Sequence, residues 1–284
     1  MKREPLELKH KDLLAPRLSA IKNHVSEYCF PNLYLYRDVH EYEVLVNDEI
    51  YIAGLSYDGK RYLIPTRDIK DMDIEKLLEA AKNFDFIYPV PEEWLVFFKG
   101  INGVSYTFEE GDSDYLYLSD KMGSYPGRWL HKKRNLKKQF EEAYEHMGLP
   151  LTTERLEDAK LILDGWSEVS NQQKNETDYY PCMEALERYD ELSLCGGIYY
   201  ADGEPAGFAL GEEVSPETFV LHFSKGLIKF KGIYQYIFSS FANILPSNYM
   251  YINIEQDMNN EALRRSKRSY RPDILLKKYR VTAG

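Results

Sequence analysis

This sequence predicts an α+β fold of two mixed, mostly antiparallel sheets flanked by helices, and three observations carry the prediction. At 284 residues the chain is long for one domain and sufficient for two of about 140 each. Period-two alternation and helical periodicity both recur along it. The two halves also share one order of expected elements: strand, strand, strand, helix, strand, helix, strand. No residue-level repeat accompanies the shared order, so the echo is architectural. The expected division is a first domain over 1–120 and a second over 121–284.

In the first half, Leu18 to Tyr28 reads as helical and Phe30-Pro31-Asn32 as a turn. Tyr42 to Val46 and Glu49 to Leu55 alternate as strands, and Asp58-Gly59 is a hairpin signal leading into Arg61 to Pro65. Asp73 suits the cap of a helix from Ile74 to Asn83, with Ile74, Leu77, Leu78 and Ala81 on one face. Asp85 to Tyr88 is short and apolar, Pro91 opens a helix that turns Trp94, Leu95 and Phe98 inward, and Val104 to Phe108 and Tyr115 to Leu118 read as strands.

The second half opens on a helical pattern from Trp129 to Met147, stopped by Gly148-Leu149-Pro150. Thr153 is the expected cap of a helix striped by Leu156, Ala159, Ile162, Leu163, Trp166 and Val169. A shorter helix surrounds Cys182 to Leu192. Strands follow at Gly197 to Ala201, Ala206 to Gly211 and Thr218 to Phe223, with turns at Asp202-Gly203 and Ser215-Pro216. The chain then reads as a basic loop (Ser224 to Gly232), a helix (Tyr234 to Leu245), a strand (Tyr249 to Ile254), a basic helix (Ala262 to Arg268) and a last strand (Ile274 to Val281).

Composition excludes several classes. No apolar run approaches the roughly 20 residues that span a bilayer, so no integral membrane segment is expected. Met1-Lys2-Arg3-Glu4-Pro5 has charge with no apolar stretch behind it, unlike a signal peptide. Cys29, Cys182 and Cys195 are too few and too scattered for a disulfide framework or a zinc site, so no metal is expected and the cytoplasm is the expected location. There is no Walker loop and no catalytic triad pattern.

The net charge of −10 is unevenly spread. Residues 121–138 hold seven Lys/Arg and no acid, and residues 263–280 hold eight against the single acid Asp273. Two basic runs in an otherwise acidic chain suggest a local patch for a polyanion; the plainer alternative is two solvated helix faces. The loops before the two crossover helices differ in the same sense. Arg67 to Asp73 carries three acids, whereas Lys225 to Gly232 carries three lysines and two glycines. Only the second suits an anion, so the C-terminal copy is the expected working one and the N-terminal copy a scaffold.

Candidate residues cluster accordingly. Lys225, Lys231 and the N–H groups from Gly232 to Tyr234 would hold a phosphate or carboxylate, or else serve turn geometry alone. Glu255 and Asp257 follow a strand and would bind an ammonium group or accept a proton; Asp257 equally suits a helix cap. Lys267 and Tyr270 would donate to an oxyanion or a leaving group, although Tyr270 would also suit a packed turn. His131 and Asn135 share a helix face with Lys132, Lys133 and Arg134 around them, while His222, inside an apolar strand, reads as structural.

Four ordered motifs narrow the choice: His131-Lys132-Lys133-Arg134-Asn135, Lys231-Gly232-Ile233-Tyr234-Gln235, Tyr251-Ile252-Asn253-Ile254-Glu255-Gln256-Asp257, and Leu263-Arg264-Arg265-Ser266-Lys267-Arg268-Ser269-Tyr270-Arg271-Pro272. With Phe30-Pro31-Asn32-Leu33-Tyr34 and Lys278-Tyr279 they resemble, nearly end to end, the family named for the C-terminal domain of phosphatidylglycerol lysyltransferase. The order of elements resembles tandem GNAT acyltransferases, among them the Fem-type aminoacyltransferases. The resemblance implies two GNAT-like domains and catalytic roles for Glu255, Lys267 and Tyr270. It also implies a substrate site including Lys225, Lys231, Gly232, Tyr234, Gln235, Asn253, Asp257 and Arg264, with His131 to Asn135 toward a polyanion. Only one glycine stands at the helix start where CoA-dependent GNAT enzymes usually have two, so CoA is disfavoured and no tightly bound cofactor is expected.

The expected function is acyl transfer, in particular from an aminoacyl-tRNA to an amine or hydroxyl of a small molecule or lipid headgroup. The alternative is a GNAT-shaped module that binds a small anionic metabolite or nucleic acid without turnover.

Overall fold

Each of two sheets is built around one parallel strand pair joined by a crossover helix. The computed structural model describes residues 2–170 and 172–284; Met1, in the segment read above against a signal peptide, lies outside them. The chain divides into two compact units, one of Met1–Asp114, Gln256–Glu261 and Leu275–Gly284, the other of Tyr115–Glu255 and Ala262–Ile274.

With strands numbered along the whole chain, the first unit holds β1 (Lys2–Pro5), β2 (Glu43–Val46), β3 (Ile50–Leu55), β4 (Arg61–Pro65), β5 (Phe86–Pro91), β6 (Val104–Phe108) and β14 (Lys278–Ala283). They form one sheet in the order β1-β2-β3-β4-β5-β14-β6. Its helices are α1 (Lys11–Ser19), α2 (Phe30–Leu35) and α3 (Ile74–Ala81). The second sheet runs β13-β7-β12-β11-β10-β9-β8. Its strands are β7 (Asp114–Leu118), β8 (His146–Pro150), β9 (Cys195–Ala201), β10 (Glu204–Ser215), β11 (Thr218–Gly226), β12 (Tyr251–Asn253) and β13 (Ile274–Leu276). The remaining helices are α4 (Ser119–Ser124), α5 (His131–Ala143), α6 (Leu156–Glu168), α7 (Tyr179–Glu187), α8 (Ile233–Ile244) and α9 (Glu261–Ser269).

The sheets echo each other strand for strand. In the first, β4 and β5 are parallel, joined through α3; in the second, β11 and β12 are parallel, joined through α8. Beside each parallel pair lies an antiparallel strand from elsewhere in the chain, β14 against β5 and β7 against β12. Local chemistry explains the elements. Asp73 caps α3 by accepting from the N–H groups of Glu75 and Lys76 at 3.1 and 3.2 Å, and Leu77 and Ala81 are buried. The β9–β10 hairpin turns through Asp202 and Gly203, both at positive φ as a two-residue turn of primed type requires. Two acids of the Arg67 to Asp73 loop act as caps: besides Asp73, Asp68 accepts the Lys70 N–H at 3.0 Å.

Five expectations are corrected. Phe30-Pro31-Asn32, read as a turn, opens α2, where proline in the first turn costs no hydrogen bond. The early helix is Lys11–Ser19, not Leu18 to Tyr28, because the later amides find side-chain acceptors: Val25 N–H donates to Asn23 at 3.1 Å and Ser26 N–H to Asp114 at 2.8 Å. The helix expected to reach Met147 ends at Ala143, where Tyr144 turns extended, and His146–Pro150 pairs with β9 as an edge strand. Thr153 opens a short 3-10 turn rather than capping α6. The last strand divides at Lys277, with Ile274–Leu276 in the second sheet and Lys278–Ala283 in the first.

The core of the first unit contains a charge cluster that sequence reading did not anticipate. Lys278 is fully buried and donates to both Glu27 oxygens at 2.7 and 2.8 Å and to Asp114 at 2.8 Å. Tyr88 donates to Glu27 at 2.9 Å, and Ser26 donates to Asp114 through both its N–H and its hydroxyl. Burial raises the Glu27 carboxyl above its usual range against the pull of Lys278, and the two carboxylates hold the Lys278 ammonium far into its charged form despite burial.

Candidate active site

The second unit opens where its two parallel strands part. Pairing of β11 with β12 covers Thr218 with Tyr251, Phe219 with Ile252 and Val220 with Asn253, and then stops. Strand β11 continues to Gly226, while the chain beyond Asn253 turns away. A crevice beyond the carboxyl ends of parallel strands is the usual ligand position in such sheets. At this point β11 also bulges. Leu210 faces Phe223 and Gly211 faces Leu221, which leaves His222 as the extra residue and re-aims its ring.

His222 bridges the parting strands. Its Nδ1 lies 2.8 Å from Glu255 Oε1, and its Nε2 lies 3.1 Å from Glu212 Oε1 on the neighbouring strand β10. The ring is wholly buried and both carboxylates are nearly so. Carboxylate acceptors at both ring nitrogens suit an imidazolium, and the three groups together can take up or release a proton without leaving their places. Ser224, two residues further along β11, holds a buried hydroxyl without a hydrogen-bond partner among the described residues.

Glu255 is held from several sides. Its φ of 58° is left-handed, a conformation costing a non-glycine residue about 1 kcal/mol or more. The Asn253 side chain accepts the Glu255 N–H at 2.7 Å, and the Glu255 carbonyl accepts from Tyr115 N–H at 3.2 Å. Lys267, on α9, donates to the carbonyls of Ile254 at 2.6 Å and Glu255 at 3.1 Å, and Tyr117 donates to the Lys267 carbonyl at 2.8 Å. Lys267 is therefore a buried fastener of the strand end, whereas sequence reading pointed its ammonium at an oxyanion.

A second polar group gathers at the first turn of α8. Gln235 donates to the Tyr270 hydroxyl at 2.7 Å, so the phenol's own proton is left to be given elsewhere. Burial raises the Tyr270 pKa and keeps it protonated. Lys133, from α5, lies 3.7 Å from the centroid of the Tyr270 ring and makes no ion pair among the described residues. Burial pulls its pKa down to about 8, against the preference of the ring face for the ammonium form. Tyr234, next to Gln235, is approached by the Gly226 amide and the Trp166 indole, which partly offset the burial that raises its pKa.

The basic loop itself is not an open anion cradle. Lys225 is buried, donates to Asp178 at 2.6 Å and lies 3.7 Å from the centroid of the Trp166 ring. Gly232 sits at φ 92°, and a Cβ there would lie 2.2 Å from the Leu136 carbonyl oxygen of α5. That glycine is required by helix packing, and of the three loop lysines Lys229, paired with Glu204, and Lys231 are exposed. Of the other expected residues, His131, Lys132, Arg134 and Asn135 are exposed on α5, with Arg134 tying down the Tyr125 carbonyl at 2.5 Å; Arg264 is half-buried on α9. Asp257 belongs to the first unit, is fully buried and accepts the Asn259 N–H at 2.9 Å, capping a turn.

The second unit thus brings Glu255, Tyr270, Tyr234 and Gln235 to two polar groups and adds four residues that sequence reading placed elsewhere or missed: His222, Glu212, Lys133 as a half-buried amine, and Ser224. The bulge that re-aims His222 leaves no mark in the alternation of an apolar strand. The fold is a tandem of two GNAT-like units, and the comparisons with known proteins agree. Residues 18–282 match the family of the C-terminal region of phosphatidylglycerol lysyltransferase, and the chain belongs to that family. A conserved protein of unknown function from Bacteroides thetaiotaomicron superposes with a TM-score of 0.86 at 25% identity, covering 99% of each chain. L-PGS from Bacillus licheniformis superposes at 0.62 with 14% identity over 98% of this chain and 92% of that one. FemX does so at 0.60 with 8% identity over 100% and 96%. An uncharacterised protein of Mycoplasmoides gallisepticum is 26% identical over 179 residues, 61% of this chain and 56% of that protein, so the match spans little more than half of that relative. Family and fold support an acyltransferase-type function. No helix among the described residues is long and apolar enough to cross a membrane.

Proposed function

We propose that the second unit moves an aminoacyl group from a charged tRNA to an amine or hydroxyl acceptor, a small molecule or a lipid headgroup. The observation that carries this reading is the parting of β11 from β12 at His222 and Glu255, which leaves an acid–base pair at the usual ligand position of such a sheet. In the reaction the acceptor nitrogen or oxygen attacks the ester carbonyl, and its proton passes to the Glu255–His222–Glu212 group. The carbonyl oxygen, negative in the tetrahedral intermediate, takes a hydrogen bond from Tyr270. The carbon–oxygen bond to the tRNA ribose then breaks, and the departing hydroxyl is protonated by the Lys133 ammonium.

The packing of α5 over Gly232 supports a site that does without the pyrophosphate of CoA, and no tightly bound cofactor is proposed. A tRNA donor places the protein in the cytoplasm. Exposed Lys132 and Arg265, which have no ion pair among the described residues, would meet phosphates; Lys137 and Lys138 already face Glu141 and Glu142.

Incubation with radiolabelled aminoacyl-tRNAs and cell extract tests the proposal. Label should leave the tRNA for a product that survives ribonuclease treatment; no transfer, together with no tRNA binding at low salt, contradicts it. The pH dependence adds a second check. Below about 8 Lys133 is an ammonium able to protonate the leaving group, so the transfer rate should fall as pH rises through about 8. Lys133→Arg should move that alkaline limb upward, and Lys133→Met should remove it along with most of the rate. Stability runs the other way. A folded pKa below the unfolded value means that Lys133 contributes stability present above about 10.4 and lost as pH falls through about 8.

A further inference from the structure

We infer that Trp129, with Arg128 and Arg271, forms a stacking subsite for an unpaired nucleobase of the donor RNA, near its single-stranded 3′ end. The inference rests on the tRNA-donor proposal above and deepens it. Trp129 is 65% exposed although the next residue, Leu130, is buried. The guanidinium carbons of Arg128 and Arg271 lie 4.7 and 4.8 Å from its ring centroid, and they come from opposite ends of the second unit's sequence. Neither arginine has an ion pair among the described residues, and the neighbouring acid Asp273 is already bound to Lys121.

Arg271 is held in place. Its φ of 58° is left-handed, its N–H donates to the Arg268 carbonyl at 3.0 Å, and its own carbonyl accepts from Lys121. Both chain segments lead straight to the reacting groups. Arg271 directly follows Tyr270, and Trp129 stands in the turn that leads into α5, four residues before Lys133. A base held here would be near the ester whose carbonyl Tyr270 serves and whose leaving group Lys133 protonates.

An exposed indole offers a π-face, and arginines offer planar cations that pair with phosphate or extend the stack. Bases inside a duplex have their faces covered, so only an unpaired one can use the indole. Membranes also recruit tryptophan, but they draw on large apolar neighbours, and the exposed residues within three positions of Trp129 are Pro126, Gly127, Arg128, His131 and Lys132.

The test measures binding of the full chain to a short single-stranded RNA ending in CCA, to a blunt RNA duplex of equal length, and to phosphatidylglycerol-containing vesicles. Trp129→Leu should weaken single-strand binding about 10-fold and leave duplex binding unchanged. Arg271→Gln should weaken both, with a shallower salt dependence. Unchanged single-strand binding in Trp129→Leu overturns the subsite while leaving the tRNA-donor proposal standing. No RNA binding by the wild-type chain at low salt overturns both. A loss confined to vesicles overturns the subsite in favour of a lipid contact.

Discussion

Glu255→Gln is expected to slow aminoacyl transfer by about 10²- to 10⁴-fold, the contribution typical of a positioned general base, without loosening the fold. The substitution keeps size and hydrogen-bonding shape. The left-handed turn at residue 255 is fixed through main-chain atoms, by Asn253, Tyr115 and Lys267, and not through the carboxylate. What changes is basicity: His222 keeps the Glu212 carboxylate but meets a neutral amide oxygen at Nδ1 in place of the second carboxylate. Single-turnover rates at saturating donor separate this from a binding defect, since tRNA affinity should stay at the wild-type value. Glu212→Gln, acting only through His222, should cost less. If Glu255→Gln transferred at the wild-type rate, the proton would have to go elsewhere.

Lys278→Met is expected to destabilise the protein by about 3–5 kcal/mol, because it leaves two buried carboxylates without their counter-charge. Methionine nearly matches lysine in volume, so cavity formation contributes little. Urea denaturation at neutral pH measures the loss. Acid should then relieve it in part: Glu27 already has a raised folded pKa, and without Lys278 that pKa rises further. Raised folded pKa values give stability that is present at low pH and lost as pH climbs through them, so the variant's deficit should shrink on acidification. Adding Glu27→Gln and Asp114→Asn should recover much of the loss at neutral pH, and the thermodynamic cycle gives the coupling.

Much of the architecture was legible from local chemistry. Asp73 is a cap because a carboxylate before an amphipathic run accepts the first helical amides, and Asp202-Gly203 is a turn because both residues tolerate positive φ. The order of strands around the crossover helices followed for the same reason. What escaped was pairing between distant positions. Lys225 counted as a basic loop residue until Asp178, 47 residues earlier, took its ammonium. Lys278 meets Glu27 across 251 residues, which no window of sequence reports. The division of the last strand at Lys277 depends on which sheet edge is open to each half. In the site, Tyr270, Gln235 and Glu255 were visible as polar residues at element ends, where loops carry chemistry. His222 was not, since a histidine in an apolar strand looks packed unless the bulge beneath it is known.

The most direct test is a crystal structure with a non-hydrolysable aminoacyl-adenosine, its ester replaced by an amide. The amide carbonyl should lie about 3 Å from the Tyr270 hydroxyl, with the amino-acid portion entering between the parted ends of β11 and β12 beside Glu255. An analogue found in the first unit, or one that binds the second unit and leaves Tyr270 and Glu255 untouched, would contradict the assignment of acyl transfer to this crevice.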